Sequence, residues 1–316
     1  MTLACVFPGQ GSQSVGMLAE LAAGHPVIGQ TFAEASSALG YDLWERVSTG
    51  PAEKLDQTEC TQPAMLVAGV ATWRLWIEQG GARPALVSGH SLGEFTALVC
   101  AGAMDFAASV TLVRDRGRYM QAAVPAGGGG MAAILGLEDA VVEAVCAEAA
   151  QGEVVEAVNY NSPGQVVIAG QAAAVERALE AARARGAKRA LLLPVSVPAH
   201  SSLMQGAAAQ LRERLAGIAL SAPEIEYLSA VDAQPHRAPE DIRALLVRQL
   251  ASAVRWTSVV EALSARGVRT IIECGPGKVL TSLNKRIERS RDTQCLAIEN
   301  PASLRAALDA TGSTTR

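Results

Sequence analysis

The sequence predicts an α/β protein with a largely parallel β-sheet and a second, smaller domain inserted into the first. Short apolar runs alternate with longer segments of helical periodicity, an order typical of α/β folds. In the middle of the chain the glycine-rich stretch AGGGG, residues 126–130, precedes a region in which two strands follow one another directly. The 316 residues, 49% of them hydrophobic, suffice for one large domain or two modest ones.

The first part of the chain supplies the start of the larger domain. An apolar run at residues 3–8 predicts the first strand. Residues 62–79 predict a helix, because apolar side chains recur there at spacings of three and four. A short strand at residues 85–87 ends at Ser88-Gly89, and a helix follows from Ser91. An amphipathic helix is predicted over residues 107–123.

The middle of the chain follows a different order. We predict strands and helices alternating as β-α-β-β-α-β, with the strands at residues 131–137, 154–158, 165–168 and 189–195 and the helices at 138–150 and 172–185. Asn161-Ser162-Pro163-Gly164 is the turn between the two adjacent strands. This ferredoxin-like order predicts an inserted domain at residues 127–195 within a core of residues 1–126 and 196–316. The glycines would let the insert pivot. A buried strand at residues 268–273, closed by CGPGK, returns to the core.

Composition and charge exclude several classes of protein. The net charge of −4, from 27 basic and 31 acidic residues, disfavours nucleic-acid binding. No apolar run reaches the roughly 18 residues of a membrane span, and no secretory signal is evident, so we expect a cytoplasmic protein. The six cysteines are scattered without a CxxC pair, and the four histidines are dispersed. We therefore expect buried reduced thiols and no metal site.

The pentapeptide GHSLG, residues 89–93, indicates a nucleophile. It is a G-x-S-x-G sequence between a predicted strand and a predicted helix, the context in which such a serine is exposed on a strained turn. Side chains at Gly89 and Gly93 would collide with neighbouring backbone. The N–H of Leu92, at the start of the helix, is the natural first oxyanion donor. Ser91 is therefore the predicted nucleophile.

A serine nucleophile needs a base, and four histidines compete for that role. His90 would point away from its neighbour and is interpreted as a supporting residue, while His25 and His236 lie in ordinary loops. His200 is the last residue of the stretch LLLPVSVPAH, in which a predicted buried strand ends through two prolines before a helix begins. Catalytic side chains of α/β proteins lie at such strand ends, so His200 is the predicted base.

Seven motifs occur in this chain in a fixed order: FPGQGSQ, GHSLGE, RDRGRYMQ, NSPGQVVIAG, PVSVPAH, LVRQL and ECGPGKVL. Together they resemble the bacterial malonyl-CoA:acyl carrier protein transacylases, the malonyltransferases of type II fatty acid synthesis. The resemblance runs from the first strand to about residue 290. It implies an α/β-hydrolase-like core with an inserted ferredoxin-like domain, which agrees with the organisation predicted above.

The resemblance also implies roles for individual residues. Ser91 and His200 would be nucleophile and base, and the backbone N–H groups of Gln10 and Leu92 would form the oxyanion hole. Gln249 would orient the imidazole through a carbonyl. Arg116 would bind the free carboxylate of the malonyl group, and Gln62 would line the pocket. A guanidinium suits the binding of the malonyl carboxylate, because its planar fork offers a carboxylate two hydrogen bonds.

The opening loop at first suggests a phosphate-binding sequence. A dinucleotide fingerprint needs G-x-G-x-x-G, but after Gly9 and Gly11 the next glycine is Gly16, and a P-loop needs a lysine that is absent. In the resembled family the glycines instead let the Gln10 N–H approach the oxyanion.

The implied reaction moves malonyl from malonyl-CoA to Ser91 and then to the phosphopantetheine thiol of acyl carrier protein, in ping-pong order. The coenzyme A thioester and the holo carrier are substrates, and no metal or redox cofactor is expected. A monomer is expected, although the sequence does not specify an oligomeric state. Because the carrier is acidic, its docking site is expected among Arg189, Lys285 and Arg286, which could equally be solvated faces.

Three alternatives remain open from the sequence. A serine hydrolase would carry an acid between nucleophile and histidine, and no acid stands at an obvious strand end there. A malonyltransferase could serve another carrier, such as one of a polyketide or malonate decarboxylase system. A non-catalytic protein could retain the fold, although Ser91, His200 and Arg116 are all intact.

Overall fold

Two β-sheets organise the fold in the computed structural model, which describes residues 2–125, 127–195 and 197–312. The strands are β1 (Thr2–Phe7), β2 (Leu86–Gly89), β3 (Gly129–Leu135), β4 (Val155–Ser162), β5 (Gln165–Gln171), β6 (Arg189–Leu192), β7 (Glu226–Leu228), β8 (Pro235–His236), β9 (Val268–Cys274) and β10 (Gln294–Ile298). The larger sheet has the order β10-β9-β1-β2-β7-β8. Every neighbouring pair in it is parallel except β7 with β8.

Helices surround both sheets. The α-helices of the described residues are α1 (Ala19–Gly24), α2 (Pro26–Leu39), α3 (Leu43–Thr49), α4 (Ala52–Leu55), α5 (Thr58–Glu78), α6 (Gly93–Cys100), α7 (Phe106–Ala122), α8 (Asp139–Ala150), α9 (Ala172–Ala184), α10 (Gln205–Ala216), α11 (Pro239–Arg248), α12 (Trp256–Ala265), α13 (Val279–Ile287) and α14 (Pro301–Ala310). Two short 3-10 helices, Ser202–Met204 and Gln249–Ala251, adjoin α10 and α11. Within the described ranges, no helix has both the length and the apolar character needed to cross a membrane.

The central strand β1 shows why the larger sheet is buried on both faces. Alternate side chains of a strand point to opposite faces. Cys5 and Phe7 join one apolar cluster, while Ala4 and Val6 join a second cluster on the other face. A strand covered on both sides needs apolar residues throughout, which explains the unbroken run LACVF. The carboxyl end of β1 leads directly into the loop that borders the site described below.

The smaller sheet is antiparallel, with the order β4-β5-β3-β6. Helices α8 and α9 connect its strands in the predicted β-α-β-β-α-β order and pack on it through an apolar cluster of its own. A mostly parallel sheet and a four-stranded antiparallel unit are together the predicted fold class, which is therefore confirmed. The domain boundaries at residues 126/127 and 195/196 stay a prediction; Ala126 and Ser196 lie outside the described residues.

Two local predictions in this unit were wrong. Gly129 and Gly130 are not hinge residues but the first residues of β3, paired with β5. The predicted strand 189–195 is the shorter β6, and it is not buried: Leu191 and Leu192 are 54% and 59% exposed. An edge strand with no neighbour on one side leaves such side chains open to solvent, although its composition resembles that of a core strand.

Strand β4 attaches the smaller sheet to the rest of the molecule. The N–H of Tyr160 donates to Val254 O at 2.9 Å, and the N–H of Val254 donates to Val158 O at 2.8 Å. Glu156 accepts hydrogen bonds from both the N–H and the hydroxyl of Ser202. The segments that β4 contacts lie next to His200 and Gln249 in sequence, so this strand helps to position them.

Candidate active site

Ser91 lies on a sharp turn between β2 and α6, with a left-handed φ of +52°. The flanking glycines are required by close backbone contacts. A Cβ on Gly89 would lie 1.9 Å from the carbonyl carbon of Gly93, and a Cβ on Gly93 would lie 2.0 Å from Phe7 O. The turn therefore packs against the end of β1, and the Ser91 side chain projects from the carboxyl edge of the sheet.

His200 meets this hydroxyl, with its Nε2 2.8 Å from Ser91 Oγ. Its Nδ1 lies 2.8 Å from the backbone oxygen of Gln249. Because a carbonyl oxygen only accepts, Nδ1 carries the ring proton and Nε2 presents its lone pair to Ser91. The sequence prediction that Gln249 orients the imidazole through a carbonyl thus corresponds to a main-chain contact.

The sequence predicted His200 at the end of a strand, but the structure places it further along the chain. It follows β6 by eight residues and adopts a φ of +68°. Its N–H donates to Leu250 O at 3.0 Å, in the 3-10 helix after α11. Burial, followed by the positive charge of Arg116, lowers the pKa of His200 to about 3. The imidazole is therefore neutral at pH 7 and free to accept a proton.

Arg116 lies on the buried face of α7 and is only 1% exposed. Its Nη1 donates to Gln62 Oε1 at 2.9 Å, and its Nη2 donates to Gln249 Oε1 at 2.9 Å and to Ser91 Oγ at 3.2 Å. Its Nε is buried and has no hydrogen-bond partner among the described residues. Burial lowers the pKa of Arg116 to about 10, so the group remains charged at pH 7 beside neutral partners.

The neighbouring charged residues of α7 differ from Arg116. Arg114 pairs with Asp115 at 2.9 Å, and Arg118 pairs with Glu59 at 2.7 Å. The Arg118 pair is exposed to solvent, and the Arg114 pair is partly buried. Gly117 brings α7 against α5, because a Cβ there would lie 2.7 Å from Thr58 O. That close approach places Gln62 beside Arg116.

Glu94 is a buried member of the site that the sequence analysis did not assign to any role. Its Oε1 accepts from Gln249 Nε2 at 2.6 Å, and its Oε2 accepts from Tyr227, Ser229 and Ala230. Burial raises the pKa of the Glu94 carboxyl. The only sequence signal is its place directly after GHSLG, since its partners lie more than 130 residues away.

The backbone at Gln10 and Leu92 borders the same cavity as Ser91. A Cβ on Gly9 would lie 2.5 Å from His90 O, so the glycine allows the opening loop to approach the nucleophile turn. Neither the Gln10 N–H nor the Leu92 N–H donates to another described residue. Both donors are thus available to an oxygen atom that forms next to Ser91.

The cavity has a volume of about 480 Å³ and lies between the two sheets. One wall comes from the opening loop and from Asp56 and Gln62, and the other comes from Met131, Asn159 and the segment after β6. Apolar side chains with a few polar groups at one end are typical of a site for a small ligand or an extended arm.

Of the remaining predicted residues, His90 lines the cavity, and the carrier-docking residues do not. The His90 ring bonds Asn161 Oδ1 through Nε2 at 2.9 Å, which fits a supporting position. Arg189, Lys285 and Arg286 are exposed, and none of them lines the cavity. The six cysteines are free thiols, five of them buried. Across the described residues, no cluster of three potential metal ligands occurs.

Comparison with known proteins identifies close relatives of this chain. Residues 4–299 match the acyl transferase domain family. The malonyl CoA-acyl carrier protein transacylase of Salmonella typhimurium is 57% identical over 305 residues, which cover 96% of this chain and 98% of the relative. The crystal structure of an acyl carrier protein S-malonyltransferase from Vibrio cholerae superposes with a TM-score of 0.93 at 56% identity, covering 97% of this chain and 99% of that one.

A second solved structure contains a carrier protein. It is a type II polyketide synthase acyl-carrier protein in complex with its malonyl-transacylase. The matched chain is 52% identical to this one, with a TM-score of 0.96 and coverage of 98% of this chain and 100% of that one.

Proposed function

The chain belongs to the acyl transferase family, among the malonyl-CoA:acyl carrier protein transacylases, and from this membership we propose how its residues carry out the transfer. The enzyme is a malonyl-CoA:acyl carrier protein S-malonyltransferase, which supplies malonyl-acyl carrier protein for fatty acid synthesis. The cluster around Ser91 is the proposed site of this reaction.

In the first half-reaction, Ser91 Oγ attacks the thioester carbonyl of malonyl-CoA while His200 Nε2 takes the hydroxyl proton. The 2.8 Å contact between these two atoms supports this transfer. The backbone N–H groups of Gln10 and Leu92 stabilise the oxyanion of the tetrahedral intermediate. The carbon–sulfur bond then breaks, and His200 returns its proton to the sulfur, so that coenzyme A leaves as a thiol.

The second half-reaction runs the same steps in reverse with another thiol. His200 takes the proton of the carrier's phosphopantetheine thiol, and the sulfur attacks the malonyl ester on Ser91. When the intermediate collapses, Ser91 leaves as its alkoxide and recovers the proton from His200. Malonyl is thereby carried to the acyl carrier protein without a metal or redox cofactor.

The observation that carries malonyl selection is the buried charge of Arg116 next to the nucleophile. Its guanidinium lies 3.2 Å from Ser91 Oγ and contacts only neutral partners. The nearest acid, Glu94, is separated from the guanidinium by the Gln249 amide, so no carboxylate pairs with Arg116 directly. A buried charge without a direct ion-pair partner is costly, and a bound carboxylate would offset that cost. Malonyl carries such a carboxylate close to its reacting carbonyl, whereas acetyl does not, so Arg116 is the proposed specificity residue.

Arg116→Ala tests this role. Breaking a buried ion pair costs about 3–5 kcal/mol, which corresponds to a loss of more than about a hundredfold in malonyl loading of Ser91. Acetyl loading should survive or improve, because no carboxylate is involved. The measurement is the rate of acyl-enzyme formation with malonyl-CoA and with acetyl-CoA. Equal losses with both substrates would refute the proposed carboxylate contact.

A hydrolase on the same core is less well supported. In the usual hydrolase triad an acidic side chain orients the histidine. Here His200 Nδ1 faces the main-chain oxygen of Gln249, and the buried acid Glu94 bonds the Gln249 side chain instead.

We also propose where the carrier protein docks. Arg189, Lys285 and Arg286 are exposed and form no ion pair within the described residues. Arg286 donates to Gln165 Oε1 of β5 at 2.7 Å, so this part of α13 adjoins the smaller sheet. An acidic carrier would be attracted to this face.

The domain division and the cellular location are proposals as well. The separate apolar cluster of the four-stranded unit supports an inserted domain at residues 127–195 within a core of 1–126 and 196–316. The free, mostly buried cysteines are in keeping with a reducing cytoplasm.

A further inference from the structure

Glu94 has no part in the steps above, although it lies three residues after Ser91 and is 1% exposed. We propose that Glu94 is a positioning residue for malonyl selection: its carboxylate fixes the direction of the Gln249 side-chain amide and so keeps an acceptor against Arg116. This inference rests on the role proposed for Arg116.

The Gln249 amide joins the two charged groups. Its Nε2 donates to Glu94 Oε1 at 2.6 Å and to Ser91 O at 2.9 Å, while its Oε1 accepts from Arg116 Nη2 at 2.9 Å. The two ends of an amide have nearly the same shape but opposite hydrogen-bonding character. The direction of this amide is therefore decided by its partners, and a carboxylate requires the NH2 end to face Glu94.

The far side of Glu94 fixes the carboxylate itself. Oε2 accepts from the Tyr227 hydroxyl, from Ser229 Oγ at 2.9 Å and from the Ala230 N–H at 3.2 Å. A backbone N–H can only donate, so the group opposite Ala230 must be an acceptor. With donors on both sides, both carboxylate oxygens act as acceptors.

Replacing the carboxylate by an amide would reverse this arrangement. In Glu94→Gln the new side-chain oxygen must face the Ala230 N–H, so the new NH2 group faces Gln249. Two NH2 groups would then oppose each other. The Gln249 amide can relieve this conflict by moving away from residue 94 or by turning over, and turning over would set its Oε1 against Ser91 O. Either change weakens or removes the hydrogen bond that Arg116 Nη2 donates to Gln249 Oε1, so the guanidinium is no longer fixed in its place beside Ser91.

The test is the rate of Ser91 loading by malonyl-CoA and by acetyl-CoA in Glu94→Gln. A hydrogen bond to a charged group is worth enough that malonyl loading should fall by about tenfold to a hundredfold. Acetyl loading should fall by much less than malonyl loading, because acetyl has no carboxylate for Arg116 to bind. The malonyl-to-acetyl ratio is thus the readout, and a role in stability alone would not change it.

Glu273→Gln is the matched control. Glu273 is 0% exposed and accepts the N–H groups of Leu280 and Thr281 at the start of α13, with no contact to Gln249 or Arg116. This variant should lose thermal stability and keep the malonyl-to-acetyl ratio. An equal fall of the ratio in Glu273→Gln would overturn the proposal, since any buried acid would then have the same effect.

Gln249→Met provides a second route to the same test. It removes the amide, retains the main-chain oxygen that bonds His200, and should lower the ratio as Glu94→Gln does. Adding Glu94→Gln to Gln249→Met should have no further effect on the ratio. If Glu94→Gln does not fold, Gln249→Met alone decides, and an unchanged ratio would overturn the proposal.

The malonyl-to-acetyl ratio of Arg116→Ala, measured in the same experiment, separates the role of Arg116 from that of Glu94. An unchanged ratio in Arg116→Ala means that the proposed role of Arg116 fails, and the Glu94 proposal with it. A lowered ratio in Arg116→Ala, together with unchanged ratios in Glu94→Gln and Gln249→Met, overturns the Glu94 proposal alone.

Discussion

Arg116 and His200 both form hydrogen bonds with the hydroxyl of Ser91, and their electrostatic requirements are opposite. Arg116 must be charged to bind a carboxylate, and His200 must be able to take a proton, yet the charge of Arg116 helps to lower the pKa of His200. A malonyl carboxylate bound at Arg116 would offset that charge and raise the basicity of the imidazole. An acyl group without a carboxylate has no such effect, so electrostatics and hydrogen bonding both favour malonyl.

Removing the charge of Arg116 should therefore change the pH dependence of Ser91 loading by acetyl-CoA. The base is active in its neutral form, and burial and Arg116 together keep it neutral down to about pH 3. In Arg116→Ala the pKa of His200 rises, while burial still holds it below its usual value. The acid limb of acetyl-CoA loading should move to higher pH, measured by rapid-mixing rates between about pH 4 and 7.

Arg118→Ala is the control for that experiment. This arginine lies on α7, as Arg116 does, but it is exposed and paired with Glu59 of α5, so its removal should leave the acid limb in place. Superimposable pH profiles for Arg116→Ala and the unaltered enzyme would show that the charge of Arg116 does not act on His200.

At the scale of elements, the site depends on how closely β1, β2 and α6 approach one another. Gly93, in the turn after β2, has no room for a side chain because it packs on the end of β1, and Gly89 has none because it packs on the backbone of Gly93. Strand β4 adds further contacts, to His90, to Ser202 and to Val254. The segments of the candidate site are thus held by contacts from both sheets.

Gly93→Ala tests the close approach of these elements. Its new Cβ would lie 2.0 Å from Phe7 O, so the turn must move. Overpacking of this kind costs about 1–3 kcal/mol or more of unfolding free energy, and loading of Ser91 should fall with it. Denaturant unfolding and malonyl loading measure the two effects.

Gly206→Ala is the matched control in a helix. A Cβ at this exposed position of α10 meets nothing within 4 Å, and alanine is the better helix former. In this variant the free energy of unfolding should rise by about 0.5–1 kcal/mol, and malonyl loading of Ser91 should be unchanged. If Gly93→Ala is as stable and active as Gly206→Ala, the packing account of the turn is wrong.

Periodicity and turn residues predicted the elements from α5 to β6, because apolar spacing reports directly which face of a segment is buried. They did not predict α1–α4 or most of the elements after β6. Helix α7, for example, spans Phe106–Ala122 against a prediction of 107–123. The two wrong predictions in the smaller sheet have a common cause. β6 has the sequence of a core strand but lies at a sheet edge, and the glycines at the start of β3 have the composition of a linker but pair with β5. In both cases the neighbouring strands, which are distant in sequence, determine the structure of the segment.

At the scale of the whole molecule, the site joins residues that are distant in sequence. Ser91 was predictable because its chemistry and its turn lie in one pentapeptide. Glu94 was not, since its partners Tyr227 and Gln249 lie 133 and 155 residues further along the chain. The burial of Arg116 is equally a property of the packed molecule, because α5 and α7 must meet before Gln62 can reach it.

Docking of the carrier protein also involves the whole molecule. The two half-reactions should therefore differ in how their rates depend on salt concentration. If Lys285 and Arg286 attract an acidic carrier, transfer from Ser91 to the carrier should weaken steeply as ionic strength rises, while loading by malonyl-CoA changes less. Lys285→Ala/Arg286→Ala should flatten the salt dependence of the second half-reaction. Arg266→Ala, which removes a surface cation paired with Glu226, is the control. The same salt dependence in both half-reactions would contradict docking at this face.

The central claim is that malonyl is carried on Ser91, and intact-protein mass spectrometry after incubation with malonyl-CoA tests it most directly. We predict a gain of one malonyl group, absent in Ser91→Ala and discharged by holo acyl carrier protein. An unmodified mass under conditions in which malonyl transfer proceeds, or an adduct that persists in Ser91→Ala, would contradict the mechanism.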